Sequence, residues 1–215
     1  DSPSPAAPEA HADWLHWSPP EPREGVMLDL GQCVAAMRER LGPDDAVICN
    51  GAGNFSSWWH RYWHYGAQPT QLAPTSGAMG YGTPAAVAAA LRRKDRLAVA
   101  LAGDGDFMMN GQELATAIQH DANMLVLVID NGAYGTIRMH QEREFPARLS
   151  GTTLHNPDFA ALGRAYGCWA ETVDQTEAFA PALDRALAQT GVRLLHLKTD
   201  VEFITPGTTI TAIRG

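Results

Sequence analysis

Positive charge is scarce in this chain of 215 residues, and the sequence also lacks any long apolar run. Its 24 acidic residues outnumber its 16 Lys and Arg residues, which gives a formal net charge of −8. No broad positive field is therefore available to attract nucleic acid or anionic lipid. The longest apolar runs, at 97–102 and 124–129, are far shorter than the roughly 20 residues that span a bilayer. The composition predicts neither a nucleic-acid-binding protein nor a membrane protein.

Cysteine is also scarce. The chain has three cysteines, Cys33, Cys49 and Cys168, an odd number with no close pair in the sequence. This pattern argues against a disulfide framework and against a CxxC metal site. We interpret the three thiols as buried apolar fillers in a reducing compartment, which predicts a cytoplasmic location.

The first 25 residues are rich in Pro, Ala and charged residues, and they lack the apolar segment of a secretory signal. We interpret 1–25 as a linker or tail. Residues 26–215 are enough for one substantial core, so we expect a single domain there. Because the sequence begins at Asp1 and not at Met, we also expect a further segment upstream.

Apolar segments of strand length alternate with segments of helical periodicity along the rest of the chain. The strand-like segments are 46–49, 97–102, 124–129 and 194–197. Strands that are apolar on both faces belong in a parallel sheet covered by helices on both sides. The sequence therefore predicts an α/β fold of this kind. Helix starts are expected at Asp29, at Asn110 with Glu113, at Asn156-Pro157 and at Thr176.

Glycine-rich turns follow three of the predicted strands, at 51–54, 103–106 and 131–133. In parallel sheets, ligands bind beyond the carboxyl ends of the strands, so these turns should share one edge. Asp104, Asn131 and the carbonyl of Ala133 offer the oxygen ligands that Mg²⁺ prefers, and glycine amides suit a phosphate. Asp, Asn and Gly are also ordinary turn formers, so the residue types alone leave both interpretations open.

The segment GDGDFMMNGQELATAIQHDANMLVLVIDNG resembles the thiamin diphosphate signature, which begins with GDG and ends in Asn-Asn or a near variant. Asp130 stands here where the first Asn is common. The resemblance implies that Asp104 and Asn131 hold Mg²⁺ through their side chains and that Ala133 holds it through its carbonyl. It also implies that Gly105 and Asp106 offer backbone amides to the diphosphate.

Further matches cover nearly the whole chain after residue 25 and resemble the superfamily of acetolactate synthase, benzoylformate decarboxylase and pyruvate decarboxylase. The resemblance implies three groups of site residues. Gly53 and Asn54 would touch the diphosphate, and Gly77 and Met79 would bind the aminopyrimidine, with the Met79 side chain holding the cofactor in a V shape. On the other side, Thr136 and Ile137 would line the thiazolium, and His140 would face the substrate. Phe55 stands where acetolactate synthases often have histidine.

An aromatic cluster lies between the first two turns, and it contains Trp58, Trp59, Tyr62, Trp63 and Tyr65. Aromatic residues are enriched at protein interfaces. We therefore expect the cluster to pack against another domain or a neighbouring subunit.

The resemblance implies a function. The chain is expected to be the diphosphate- and Mg²⁺-binding half of a thiamin diphosphate-dependent enzyme that acts on 2-oxo acids by decarboxylation, carboligation or both. A pyrimidine-binding domain, which no segment here resembles, would donate the catalytic glutamate within a homo- or hetero-oligomer. The chain alone should then show negligible turnover.

Two alternatives stay open. One is a nicotinamide-dependent dehydrogenase of the Rossmann type, since Gly51 and Gly53 follow a predicted strand, although Ser56 stands where the third glycine belongs. The other is a non-catalytic regulatory subunit with the thiamin fold. The candidate metal ligands speak against it, because a pure scaffold has no use for them.

Overall fold

A computed structural model describes residues 7–66 and 70–215 of the chain. Within these ranges a short 3₁₀ turn, Gly111–Glu113, accompanies the regular elements. The strands are β1 (Ala46–Asn50), β2 (Gln71–Leu72), β3 (Leu97–Gly103), β4 (Met124–Asp130), β5 (Trp169–Val173) and β6 (Val192–Lys198). The helices are α1 (Ala7–Trp17), α2 (Leu30–Arg40), α3 (Ser56–Tyr62), α4 (Gly82–Arg92), α5 (Asp104–Asn110), α6 (Leu114–Gln119), α7 (Gly135–Glu144), α8 (Phe159–Tyr166), α9 (Thr176–Leu187) and α10 (Ile210–Arg214).

The described strands form one sheet in the order β2-β1-β3-β4-β6-β5, and every pairing is parallel. The four predicted strands are present as β1, β3, β4 and β6, each slightly longer than its apolar run. Strands β2 and β5, which the sequence analysis did not identify, pair at the two edges. The predicted α/β fold with a parallel sheet is confirmed.

Each face of the sheet carries its own core. Ile48, Leu101 and Leu127 point to the face that α2, α3 and α9 cover. Their neighbours Cys49 and Ala100 point to the opposite face, which α4, α5, α6 and α8 cover. This alternation follows from the two-residue period of a strand, and it explains why these strands are apolar throughout.

The helix starts agree with the sequence analysis only in part. Asp29 caps α2 as predicted, because its carboxylate accepts a hydrogen bond from the amide of Gly31. Thr176 does not cap α9; it is the first helical residue. Its hydroxyl instead accepts a hydrogen bond from the Asp29 amide and donates one to the carbonyl of Met27. This threonine therefore joins α9 to the segment before α2.

The two helices predicted to follow Asn110 and Asn156 are present as α6 and α8, but neither asparagine caps its helix. Asn110 ends α5 and donates a hydrogen bond to the carbonyl of Gly80, so it forms no capping box with Glu113. Helix α8 is capped by Asp158, whose carboxylate accepts from the amide of Ala161. In both cases the asparagine side chain donates a hydrogen bond to a distant part of the chain.

The expectation for the aromatic cluster is also wrong. Trp58, Trp59, Tyr62 and Trp63 are buried in this chain's own core, on the face of the sheet covered by α2, α3 and α9. Tyr65 is partly buried against the same cluster. The apolar face of α2 supplies the surface that we had expected from another domain.

The N-terminal segment contains a helix that its composition did not predict. Helix α1 lies within the predicted linker, and Trp14 packs on His64 with ring centroids 4.3 Å apart. Residues 1–6 of that linker lie outside the described residues. The domain boundary at residue 25 stays a prediction. No helix in 7–66 or 70–215 has the length and apolar character needed to cross a membrane.

Candidate functional site

Three turns at the carboxyl ends of β1, β3 and β4 surround one cavity of about 470 Å³. They lie together because these strands are parallel neighbours in the sheet. The first helical turn of α7 and the segment after β6 complete the wall. This is the shared edge that the sequence analysis expected.

The cavity brings together nearly all of the residues singled out in the sequence. Its wall contains Gly53, Asn54, Gly77, Met79, Asp104, Gly105, Asp106, Asn131, Ala133, Thr136 and Ile137. His140 is not part of the wall; it is exposed on α7. A role for His140 toward the substrate therefore stays a prediction without support from the cavity.

Asp104 begins α5 and is almost completely buried. One carboxylate oxygen, Oδ1, accepts a hydrogen bond from the Gly105 amide at 2.9 Å, and Oδ2 accepts one from Asn156 Nδ2 at 2.7 Å. Burial raises the pKa of this carboxyl to about 6, although both hydrogen bonds oppose the shift and the nearby Asp130 adds to it. A bound cation would offset this cost of burying a negative charge.

Asn131 and Ala133 lie opposite Asp104 in the cavity wall. The Asn131 side-chain oxygen accepts a hydrogen bond from the Ala133 amide at 3.0 Å, which fixes the turn after β4. Ala133 also forms an antiparallel bridge with Thr153. Two backbone hydrogen bonds flank this bridge: the Tyr134 amide donates to the Thr152 carbonyl at 2.9 Å, and the Leu154 amide donates to the Gly132 carbonyl at 2.8 Å. In such a bridge, the Ala133 carbonyl faces away from Thr153.

The Asp106 side chain is buried beside the cavity, and the role predicted for its backbone amide stays a prediction. Its Oδ1 accepts a hydrogen bond from the Gly80 amide at 2.6 Å, and its Oδ2 is buried without a hydrogen-bond partner among the described residues. A Cβ at Gly51 would lie 1.9 Å from Oδ2. Burial raises the pKa of Asp106 to about 6. This side chain joins the turns at 51–54 and 77–80, next to Met79.

Asn54 and Thr136 bond to each other across the cavity. The Asn54 amide donates to the Thr136 hydroxyl at 3.0 Å, and that hydroxyl donates to Asn54 Oδ1, also at 3.0 Å. The ring of Phe55 lies over Gly53 and Gly103, where a Cβ would approach it to 2.7 Å and 3.0 Å. The turn after β1 is thereby fixed to both α7 and the end of β3.

Several residues beside the cavity were not identified from the sequence as site residues. Asn156 bonds to Asp104 and also to Asp130 Oδ1 at 2.7 Å, and His196 Nε2 lies 2.8 Å from Asp130 Oδ2. Burial raises the pKa of Asp130, but the bonds from His196 and Asn156 outweigh it and the net pKa is lowered. Only the departure of Asp130 from the Asn-Asn pattern could have signalled this cluster.

The residues present fit a magnesium ion. Within the described ranges, no three His, Cys, Asp or Glu side chains are grouped to hold a metal, so a cation here needs amide and carbonyl oxygens. The cavity wall offers such a set in the buried carboxylate of Asp104, the side chain of Asn131 and the backbone carbonyl of Ala133. Oxygen donors of these types suit Mg²⁺.

Residues 51–197 match the family model described as "Thiamine pyrophosphate enzyme, C-terminal TPP binding domain". The acetolactate synthase isozyme 2 large subunit of Escherichia coli is 35% identical over 161 residues, covering 74% of this chain and 29% of that protein.

Solved structures show the same relationship. Benzoylformate decarboxylase from Polynucleobacter necessarius superposes with a TM-score of 0.77 and 25% identity, over 85% of this chain and 35% of that one. A thiamine diphosphate-dependent 4-hydroxybenzoylformate decarboxylase from Rhodococcus jostii superposes with a TM-score of 0.77 and 30% identity, over 83% of this chain and 34% of that one. The chain thus spans about a third of the length of these proteins. It belongs to the thiamine pyrophosphate enzyme family, and residues 51–197 are a C-terminal cofactor-binding domain of that family.

Proposed function

We propose that this chain is the diphosphate- and Mg²⁺-binding half of a thiamin diphosphate-dependent enzyme that acts on 2-oxo acids. The observation that carries the proposal is the single cavity into which Asp104, Asn131 and Ala133 converge beside the glycine turns. The relatives, an acetolactate synthase and a benzoylformate decarboxylase, support a 2-oxo acid as the substrate class. The reaction is decarboxylation, carboligation or both.

The chain's own residues would hold and orient the cofactor. Asp104, Asn131 and the Ala133 carbonyl would bind Mg²⁺, and the turns with Gly53, Asn54, Gly105 and Asp106 would bind the diphosphate. Gly77, Met79, Thr136 and Ile137 would contact the two rings. When bound, thiamin diphosphate supplies a nucleophilic carbon and an electron sink for cleavage of the bond next to the oxo group. The protein contributes position and a dry, preorganised surrounding.

The site needs a second component. In the proposed enzyme, a pyrimidine-binding domain outside this chain donates the glutamate that activates the cofactor. The exposed apolar side chains of Met108, Met109 and Ile137, on α5 and α7 beside the cavity, are suited to such a contact. We therefore propose a homo- or hetero-oligomer in which two chains or domains complete each site. Residues 26–215 form the domain in this assembly, and the three buried free thiols are in keeping with a cytoplasmic location.

The test is calorimetric titration of the 215-residue chain with thiamin diphosphate, with and without Mg²⁺. We expect binding that requires Mg²⁺, and we expect negligible decarboxylation by the chain alone. Asp104→Ala should weaken binding by at least the roughly 10- to 100-fold that loss of a residue supporting a metal ligand costs. Asp95→Ala removes an exposed carboxylate away from the cavity and should bind as the unaltered chain does.

The same titration separates the alternatives. Binding of NAD in place of thiamin diphosphate would favour a dehydrogenase, and equal affinity of Asp104→Ala would refute the assigned metal site. The sequence disfavours the dehydrogenase, because Ser56 stands where the third glycine of the dinucleotide-binding motif belongs. A non-catalytic subunit would bind neither Mg²⁺ nor the cofactor.

A further inference from the structure

A partly buried side-chain network contains the proposed metal ligand Asp104, and it connects parts of the chain that are distant in sequence. Asn156, in the segment between α7 and α8, uses its Nδ2 group to donate to Asp104 Oδ2 and to Asp130 Oδ1, each at 2.7 Å. His196 on β6 contacts the remaining oxygen of Asp130 at 2.8 Å. Both carboxylates thus share one amide donor.

This arrangement solves an electrostatic problem. Asp130 ends β4 and Asp104 directly follows the neighbouring parallel strand β3, so their two carboxylates lie side by side. Asn156 is neutral and places one N–H group on each carboxylate, which reduces their repulsion without adding charge. His196 is almost completely buried and holds Asp130 from the other side. Asp104, which lines the cavity, is therefore kept in one orientation.

The same segment supports the other face of the candidate metal site. Residues 152–154, just before Asn156, lie beside Ala133. Hydrogen bonds from the Tyr134 amide to the Thr152 carbonyl and from the Leu154 amide to the Gly132 carbonyl hold them there. One stretch of chain, 152–156, therefore fixes the backbone that presents the Ala133 carbonyl and the carboxylate of Asp104.

We propose that Asn156 is a positioning residue for the metal site: it orients Asp104 toward the cation and joins that carboxylate to Asp130 through one shared amide group. The inference rests on the proposed function. Supporting residues of this kind orient metal ligands, and replacing them weakens metal binding by roughly 10- to 100-fold. Asn156 itself does not touch the cation.

The experiment measures the Mg²⁺ dissociation constant of the 215-residue chain at saturating thiamin diphosphate, together with the melting temperature of the metal-free protein. Asn156→Leu, which has a similar volume and no donor, should weaken Mg²⁺ binding about 10- to 100-fold. Asn156→Gln retains the amide on a longer side chain, and its Mg²⁺ affinity should lie between that of Asn156→Leu and that of the unaltered protein. The matched control Gln189→Leu replaces an exposed amide after α9 and should bind Mg²⁺ normally.

The outcomes separate the two proposals. If the unaltered chain shows no Mg²⁺-dependent binding of thiamin diphosphate, the proposed function fails and the inference fails with it. If the unaltered chain binds and Asn156→Leu has the same Mg²⁺ affinity, only the role of Asn156 is refuted. A lower melting temperature with unchanged Mg²⁺ affinity also refutes it, because that result describes a purely structural residue. Should Asn156→Leu fail to fold, an unchanged Mg²⁺ affinity in Asn156→Gln refutes the role and a weaker one supports it.

Discussion

At the scale of single residues, the cavity depends on backbone segments that approach one another more closely than a side chain would allow. A Cβ at Gly82, at the start of α4, would lie 2.7 Å from the Gly51 amide nitrogen and 2.8 Å from the Leu101 carbonyl oxygen. The amide of Gly51 in turn donates to that same carbonyl at 2.9 Å. Helix α4 therefore packs directly on the backbone that leads into the first cavity turn, and only glycine fits at this crossing.

Replacement of Gly82 by alanine should be costly. The atoms that its methyl group meets belong to the backbone of β3 and of the turn after β1, so they cannot rotate away. We expect Gly82→Ala to lower the free energy of unfolding by about 1–3 kcal/mol, the usual cost of overpacking. Urea denaturation checks this. The control is Gly207→Ala, where no atom lies within 4 Å of the added methyl group, and its free energy of unfolding should stay within about 0.5 kcal/mol of the unaltered chain. Equal losses of stability in both variants would contradict the steric argument.

At the scale of elements, the central strands could be predicted from the sequence because a buried parallel strand is a continuous apolar run. Strand β5 was missed because most of Trp169–Val173 is only partly buried, and β2 because Gln71–Leu72 is too short to form a pattern. The cavity turns could be predicted because each follows its strand directly. Asn156 could not, because its partners Asp104 and Asp130 lie far away in the sequence and Asn-Pro is equally typical of a helix start.

The attachment of α1 should depend on pH. His64 lies between Trp14 on α1, the hydroxyl of Ser18 at 3.2 Å, and the guanidinium of Arg38 at 3.1 Å. Burial, Arg38 and His11 lower its pKa below the ordinary value of about 6.5. The unfolded chain then binds the proton more readily than the folded chain. Stability from this contact is therefore present above that ordinary value and is lost as the pH falls through the lowered pKa.

The measurement is the free energy of unfolding of the unaltered chain and of His64→Gln between pH 7.5 and 5. Glutamine keeps hydrogen-bonding capacity and does not titrate, so the unaltered chain should lose more stability on acidification than the variant. Burial also lowers the pKa of His60. The contributions of His60 and of the other titrating groups cancel when the stability of the variant is subtracted from that of the unaltered chain. Parallel curves for the two proteins would show that His64 does not couple α1 to pH.

At the scale of the whole molecule, both ends of the described chain contribute to the support of the cavity. Arg23 lies between the rings of Trp58 and Phe203, 5.9 Å from each centroid, and donates to the carbonyls of Thr205 and Pro206. Trp58 and Phe203 both line the cavity. Residues before α2 thus hold the segment after β6 in place, in a part of the chain whose composition predicted only a linker.

A second contact fixes the C-terminal helix to the same wall. Glu142, a fully buried residue of α7, accepts hydrogen bonds from Arg214 on α10 at 2.6 Å and 2.8 Å and from Arg138 at 2.7 Å. These bonds hold the pKa of Glu142 well below its usual range. Because α7 carries Thr136 and Ile137 into the cavity, α10 and the cavity wall are coupled through one carboxylate.

Arg23→Ala should loosen the segment after β6 without unfolding the sheet. Each cation–π contact contributes on the order of 1 kcal/mol, and a loss of one or two kcal/mol changes a local opening equilibrium by about 5- to 30-fold. Amide hydrogen exchange at 199–206 should accelerate by that factor, while exchange in β3 and β4 should change little. Arg92→Ala, an exposed arginine at the end of α4, serves as the control and should leave both regions unaffected. Unchanged exchange at 199–206 in Arg23→Ala would mean that the contacts along β6 and α10 hold this wall by themselves.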